Sequence, residues 1–172
     1  NRYAGGTWRY DIVETGFKAN LTDIHAAIGI AQLGKIETHH KRRLELIEKY
    51  GSGLKGLPIR FQGLEGLVSP NGHAAHLFSI SIAPQSIVKR DTLIEELQKN
   101  SIAYSVHFIP LPEFSTVQKK YNFKPEDYPH SYEYFSGALS LPLYPQLKDS
   151  EVDEIIKVIR SLFAENAVTS AV

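Results

Sequence analysis

The sequence predicts an α+β domain in which a small mixed sheet carries helices on one face. Residues 76–82 alternate between apolar and polar side chains, which is typical of a half-buried strand. Near the C-terminus, apolar residues recur at the three- and four-residue spacing of a helix: Val152, Ile155, Ile156, Ile159, Leu162 and Phe163. Because the predicted helices and strands follow one another through short loops, a compact sheet-and-helix domain is favoured.

The first predicted helix follows a polar turn and is itself almost entirely apolar. An aromatic and β-branched segment, residues 10–13, leads into the turn at residues 17–20. The helix begins at Thr22 or Asp23, where a side-chain oxygen can accept from the free N–H groups of the first turn, and it ends at Leu33. A helix that is apolar nearly all round is normally buried on several sides, and its small side chains suit a subunit or domain junction.

The second predicted helix, over residues 35–50, is highly charged. Its basic residues 41–43 are followed directly by acidic ones, so we predict a solvated helix face there rather than a phosphate-binding patch. Several glycines and Pro58 end the helix. A domain boundary is therefore expected within residues 51–58.

The second half of the chain alternates between helical and extended patterns. In order we expect a helix over 90–100, a second strand over 102–108, a loop rich in Pro and aromatic residues up to 128, a short helix over 132–139, a brief strand over 140–144 and the C-terminal helix. Asp149 and Ser150 can cap that last helix. From Ala164 onward the pattern stops, and the end of the chain should fray.

Composition narrows the function classes. The 19 basic and 19 acidic residues are interspersed and give a formal net charge of zero, so no nucleic-acid or anionic-membrane partner is predicted. The absence of Cys excludes disulfides, thiolate catalysis and thiolate metal sites. No apolar run approaches the ~20 residues that span a bilayer, so we expect neither a membrane span nor a signal peptide in these residues. Because the chain begins at Asn1 and contains no Met, we expect a fragment of a longer cytoplasmic protein.

A dense motif occupies residues 8–33. It consists of Trp8, Tyr10, Asp11, Ile12, Val13, Gly16, Phe17, Lys18, Asn20, Leu21, Thr22, Asp23, Ile24, Ala26, Ala27, Ile28, Gln32 and Leu33. Three later segments, residues 73–78, 105–111 and 140–145, add shorter motifs in a matching order. Together they resemble the DegT/DnrJ/EryC1/StrS aminotransferases, pyridoxal-phosphate (PLP) enzymes that aminate keto groups on nucleotide-linked sugars.

The resemblance implies an α/β architecture overall, that of a fold-type I PLP-transferase, of which this chain is the C-terminal part. Residues 1–50 would be the end of the large PLP domain with a long connecting helix, and residues 51–172 the small C-terminal α+β domain. It also implies a homodimer, a nucleotide-sugar substrate, glutamate as amino donor, and a role in polysaccharide or cell-surface glycan biosynthesis. In the family the lysine that forms the Schiff base with PLP lies upstream of Trp8. We therefore assign no catalytic residue here, and the fragment alone should be inactive.

Asn20 and Lys18 are the candidate cofactor-binding residues. An amide donor on a turn that leads into a helix N-terminus suits a phosphate oxygen. By resemblance, Asn20 would contact the PLP phosphate of the neighbouring subunit, with Lys18 beside it as a cationic contributor. On the residues alone, an ordinary turn or cap residue is the stronger interpretation of Asn20.

His107 and Phe108 are the candidate substrate-binding residues. They end a predicted strand just before a Pro bend, where side chains can face a cleft, and by resemblance they would line the sugar-nucleotide side of the active site. A structural histidine with satisfied hydrogen bonds is the alternative. The other histidines, at positions 39, 40, 73 and 76, lack converging Cys or carboxylate partners in the sequence, so no metal site is predicted.

Two departures from the family pattern concern the surroundings of the site. Pro112 stands where many members have His, which removes or replaces a sugar contact, and residues 136–137 replace a Glu-Arg pair. Two other functions stay open: a non-catalytic regulatory or assembly member of the family, and a PLP-dependent sugar dehydratase in which His replaces the lysine. Only the upstream residue distinguishes these possibilities.

Overall fold

The computed structural model describes residues 14–61 and 74–169. The chain divides into two compact units, residues 1–36 and 37–172. The described helices are α1 (Asp23–Leu33), α2 (Ile36–Gly53), α3 (Arg90–Lys99), α4 (Ser115–Tyr121), α5 (Pro129–Gly137) and α6 (Asp149–Thr169), and the strands are β1 (Ile59–Phe61), β2 (Phe78–Ile82) and β3 (Ala138–Leu141). The predicted extended segment 10–13, Trp8 and His73 lie outside the described residues.

Helix α1 begins and ends where the sequence predicts. Thr22 is its N-cap, and the Thr22 Oγ1 accepts from the backbone N–H of His25 at 3.3 Å. The expected burial is not found, because none of the described α1 side chains is buried. Ile24 and Ile30 are 74% and 73% exposed.

The strands of the second unit form a sheet in the order β1-β2-β3. Both described pairings are antiparallel, with Ile59 opposite Ile82 and Phe78 opposite Leu141. The α+β class is therefore confirmed, whereas the predicted mixed sheet is wrong: the sequence pattern specifies the buried face of a strand but not its direction. Phe78, Ile80 and Ile82 point into the core, and serines occupy the alternate positions.

Helices α2 and α6 close the core of the second unit. In α2, Leu46, Ile47 and Tyr50 are buried, and the Tyr50 ring stacks on Phe78 with 4.8 Å between centroids. The Tyr50 hydroxyl donates to the backbone oxygen of Pro142 at 3.1 Å. Burial raises the pKa of Tyr50. The division into domains 1–50 and 51–172 stays a prediction. The C-terminal part of α2, with Leu46, Ile47 and Tyr50, belongs to the core of the second unit.

Polar contacts also join α2 to the start of α6. The Arg42 guanidinium donates to the backbone oxygen of Leu147 at 2.8 Å and to Asp149 Oδ1 at 2.6 Å. The hydrogen bond from Arg42 lowers the pKa of Asp149. The predicted cap by Asp149 or Ser150 is not found, because both residues already belong to the helix, which begins at Asp149. Instead, the Glu151 carboxylate accepts from the backbone N–H of Lys148 at 2.7 Å, just before the helix.

Other predicted elements are shifted or replaced. The predicted strand 102–108 is wrong, because one isolated bridge, Ser105 to Ser140, is its described pairing with the sheet. Its alternating sequence reflects packing of one side on the core. The short β1 and the helix α4 were missed, while α5 and β3 begin before their predicted starts. Helix α6 continues to Thr169 instead of fraying from Ala164.

Candidate functional site

Lys18 and Asn20 lie in the first unit, in an irregular segment just before α1, and the structure assigns no turn at the predicted residues 17–20. Both side chains are exposed. Asn20 stands two residues and Lys18 four residues before the N-cap Thr22, so both belong to the segment that leads into the helix. Side-chain donors at a helix N-terminus form a set that suits an anionic oxygen.

His107 lies in the second unit, where it contacts the edge of the sheet. Its ring is half-buried, and its Nδ1 is 3.1 Å from the Oγ of Ser140. The neighbouring ring of Phe108 meets it edge-on, with 4.9 Å between centroids, while Phe108 itself is 77% exposed. An imidazole held on one side and an aromatic face open to solvent can together bind a polar ring-shaped molecule.

Ser140 links His107 to the second strand of the sheet. Its side chain is buried, with 5% exposed, and its Oγ is 2.9 Å from the Oγ of Ser79, the residue directly opposite on β2. Three side chains thus form a hydrogen-bonded chain across the face of the sheet that points away from the core. We call His107, Ser140 and Ser79 the relay.

A cavity of about 350 Å³, lined by both polar and apolar groups, lies beside the relay on the same face of the sheet. It is lined by Arg60, Phe61, Ser79, Ser81, Pro84, His130, Glu133 and Tyr134. Arg60 and Glu133 approach to 3.7 Å across it, and burial raises the pKa of Tyr134. Its mixture of hydroxyls, guanidinium, imidazole and carboxylate suits a ligand rich in hydroxyl groups.

A larger cavity, of about 570 Å³, lies elsewhere and contains none of the predicted site residues. Its lining is mostly apolar, with Arg160 and Ser86 as its polar members besides Ser161. Ser86 is 5% exposed, and within the described part of the chain its Oγ has no hydrogen-bond partner. Cavity size therefore does not identify the site that the sequence motifs indicate.

The predicted residues fall into two pairs, Lys18 with Asn20 and His107 with Phe108, and each pair belongs to a different unit. Sequence reasoning missed Ser79 and Ser140 as partners of His107. One signal was present, because the pattern of residues 76–82 places serines on the side of β2 that faces away from the core. Within residues 14–61 and 74–169, no group of three His, Cys, Asp or Glu side chains could hold a metal ion. The helices of the same residues include none that is long and apolar enough to cross a membrane.

Comparison with known proteins extends over nearly the whole chain. The model of the DegT/DnrJ/EryC1/StrS aminotransferase family matches residues 2–160. An uncharacterized protein of Methanocaldococcus jannaschii is 37% identical, over 96% of this chain and 43% of its own. The spore coat polysaccharide biosynthesis protein SpsC of Bacillus subtilis is 34% identical, over 94% of this chain and 42% of its own.

The solved structures give the same result. The apo form of Spr1654 from Streptococcus pneumoniae, assigned as a sugar aminotransferase, superposes with a TM-score of 0.77 at 31% identity, over 96% of this chain and 41% of that one. The same protein has been solved in its PLP and PMP forms. These neighbours are PLP aminotransferases of fold type I, which confirms the predicted fold class. The chain spans less than half the length of the relatives that it matches.

Proposed function

We propose a function for this chain from one premise: the chain belongs to the DegT/DnrJ/EryC1/StrS aminotransferase family. It is the C-terminal part of a PLP-dependent enzyme that transfers an amino group, with glutamate as donor, to a nucleotide-linked keto sugar. The observation that carries this proposal is the family match over residues 2–160. Similarity to SpsC supports a role in polysaccharide or cell-surface glycan biosynthesis.

PLP is the cofactor in this proposal, supported by the PLP and PMP forms of Spr1654. The donors of Lys18 and Asn20 fit the phosphate group of PLP, because both side chains are exposed in the segment that leads into α1. When bound, PLP supplies the electron sink for amino transfer. The task of Lys18 and Asn20 is to hold and orient the cofactor through its phosphate.

The proposed enzyme is a homodimer in which Asn20 contacts the cofactor of the neighbouring subunit. Support comes from α1, which follows Asn20 directly and exposes apolar and small side chains along its length. Contiguous exposed apolar surface is typical of an interaction site. Covering α1 would then hold the segment with Asn20 against the neighbouring subunit.

His107 and Phe108 would bind the sugar nucleotide. The exposed face of Phe108 offers a stacking surface for a sugar or base, and the His107 ring offers one nitrogen besides the Nδ1 that contacts Ser140. The cavity beside the relay supplies further hydroxyl and charged groups. These side chains bind and orient the substrate, whereas the lysine that reacts with PLP would lie upstream of this chain.

A direct test is borohydride reduction of the full-length gene product after incubation with PLP, followed by peptide mass mapping. A reduced adduct on a lysine upstream of Asn1, together with amino transfer from glutamate to a nucleotide-linked keto sugar, is expected. An adduct within these 172 residues would overturn the placement of the lysine. If no adduct forms, the dehydratase or the non-catalytic alternative gains support instead.

The cofactor assignment has its own test in the same enzyme. Asn20→Ala should weaken PLP binding by roughly tenfold, the effect of losing one hydrogen bond to a charged group. Gln85→Ala, which removes another exposed amide side chain, is the matched control and should leave PLP binding unchanged. Unchanged PLP affinity and dimerisation in Asn20→Ala would contradict the assignment.

A further inference from the structure

We propose that Ser140 is a positioning residue for His107: its buried hydroxyl holds the Nδ1 side of the ring and leaves Nε2 as the nitrogen that faces a ligand. The functional part of this inference rests on the proposed contact between His107 and the sugar substrate. The structural part concerns the orientation and tautomer of the ring and can be measured by itself.

The position of Ser140 in the fold makes it suited to this task. It lies within β3 and is 5% exposed, so water has little access to compete for its hydroxyl. Its backbone N–H donates to Ser105 at 2.7 Å, and its backbone oxygen accepts from the N–H of Ser105 at 3.1 Å. Ser105 is two residues before His107. Ser140 therefore both holds the backbone segment that carries His107 and contacts the His107 ring.

Ser79 extends the arrangement from the ring into the sheet. A hydroxyl has one hydrogen to donate and lone pairs to accept, so the Ser140 Oγ can bond to Ser79 and to His107 together. The hydrogen bonds run in one of two directions, from Nδ1 through Ser140 to Ser79 or the reverse. In each direction the Nδ1 of His107 has one defined role, donor or acceptor. The tautomer of the neutral ring is therefore coupled to the direction in which the two hydroxyl groups donate.

A purely structural role for these serines makes a different prediction. If the contact between Ser79 and Ser140 serves only to join β2 to β3, its loss would lower stability without changing the ring of His107. Ser86 provides a matched control for the loss of a buried hydroxyl. It is equally buried, at 5% exposed, but its Oγ has no hydrogen-bond partner in the described part of the chain.

The first experiment is long-range proton–nitrogen NMR of the histidine rings in the 15N-labelled full-length protein, with His107→Gln to assign the signals. Ser140→Ala should shift the Nδ1 resonance of His107 and change the populations of its two neutral tautomers. Ser79→Ala should give a smaller shift in the same resonance, and Ser86→Ala none. An Nδ1 resonance unchanged by Ser140→Ala would overturn the proposal.

The second experiment is steady-state kinetics of the same variants. Ser140→Ala should raise KM for the sugar substrate about 3- to 10-fold, the loss expected for one hydrogen bond, with kcat changed less than KM. Ser86→Ala should leave both constants unchanged. If Ser140→Ala leaves KM unaltered while the separate variant His107→Ala raises it, the positioning role is overturned. If His107→Ala itself leaves KM unchanged, the proposed substrate contact fails, and the NMR result then decides the structural part separately.

Discussion

Helices α1 and α6 are both rich in apolar residues, yet their surroundings in this chain are opposite. In α6 the apolar residues form one stripe, and members such as Val152 and Ile159 are completely buried. In α1 they occur on almost every side, and none of the described α1 residues is buried. Apolar content alone therefore does not decide whether a helix is buried within its own chain. Periodicity does, because a stripe can match a single neighbouring surface.

The difference has an energetic side. Each buried Ile of α6 stabilises the second unit by roughly 1.5–3 kcal/mol relative to an exposed one. The exposed Ile residues of α1 gain little of this within the described chain, so folding of the second unit should depend little on α1. The surface of α1 is instead available to stabilise the proposed contact with the neighbouring subunit.

The largest expected change in stability comes from shortening a buried side chain of α6, and the same change in α1 provides the comparison. Ile159→Ala should lower the free energy of unfolding of the chain by about 2–4 kcal/mol, because it leaves a cavity in the core. Ile30→Ala in α1, where the side chain is 73% exposed, should change it by less than about 0.5 kcal/mol. Urea unfolding followed by circular dichroism measures both. Equal losses in the two variants would remove the distinction between α1 and α6.

Replacing glycine by alanine should lower stability at one position in the second unit and raise it at one position in the first unit. A Cβ at Gly137 would overlap the backbone oxygen of Ile82 and lie 3.0 Å from the Ser81 Oγ, so Gly137→Ala should destabilise by about 1–3 kcal/mol. A Cβ at Gly29 would meet nothing within 4 Å. Gly29→Ala should therefore stabilise α1 locally by about 0.5–1 kcal/mol and increase its helix content. Thermal unfolding and far-UV circular dichroism test the pair, and a loss of helix content in Gly29→Ala would contradict the open surroundings of α1.

Tyr50 tests the core contact of α2 at alkaline pH. Tyr50→Phe should lower the free energy of unfolding by about 0.5–1.5 kcal/mol, because the hydrogen bond to Pro142 is lost. Tyr132→Phe, at an exposed position, should leave the free energy of unfolding unchanged. Burial raises the pKa of Tyr50 above its ordinary 10.0, so the folded state retains a proton that the unfolded state loses. This contribution is complete below pH about 10 and decreases as the pH rises through the folded-state pKa. Unfolding measured from pH 8 upward should show a shallower alkaline loss in Tyr50→Phe.

The smallest expected effect concerns Asp149 at the start of α6. Its hydrogen bond from Arg42 lowers its pKa from the ordinary 3.8, so the stabilising contribution is present above pH about 4 and disappears as the pH falls through the lowered pKa. In a carboxyl NMR titration, Arg42→Met should return the pKa of Asp149 toward its ordinary value. Lys49→Met should change it less, since Lys49 is the weaker of the two influences. The same pKa in all three proteins would show that Arg42 does not hold the start of α6.

The sequence predicted the candidate site only in part. It named His107 and Phe108 and placed them before a Pro bend, but it assigned them to a regular strand and gave no partner to the ring. In the structure, the described pairing of residues 102–108 with β3 is one bridge at Ser105, and the partner of His107 is Ser140, 33 residues further along. Local patterns contain no information about which distant hydroxyl meets an imidazole.

By itself, the sequence determined the start and end of α1, the stripe of α6, the buried face of β2 and the motif that identifies the family. Each depends on residues close together in the chain, such as the cap of Thr22 on His25 or a repeat of three and four residues. The tertiary structure decided the antiparallel direction of the sheet, the isolated bridge at Ser105, the relay and the exposure of α1. The sheet direction, the bridge and the relay depend on partners far apart in the sequence, whose contacts form only when the core packs. The exposure of α1, in which none of the described residues is buried, likewise does not follow from the composition of the helix itself.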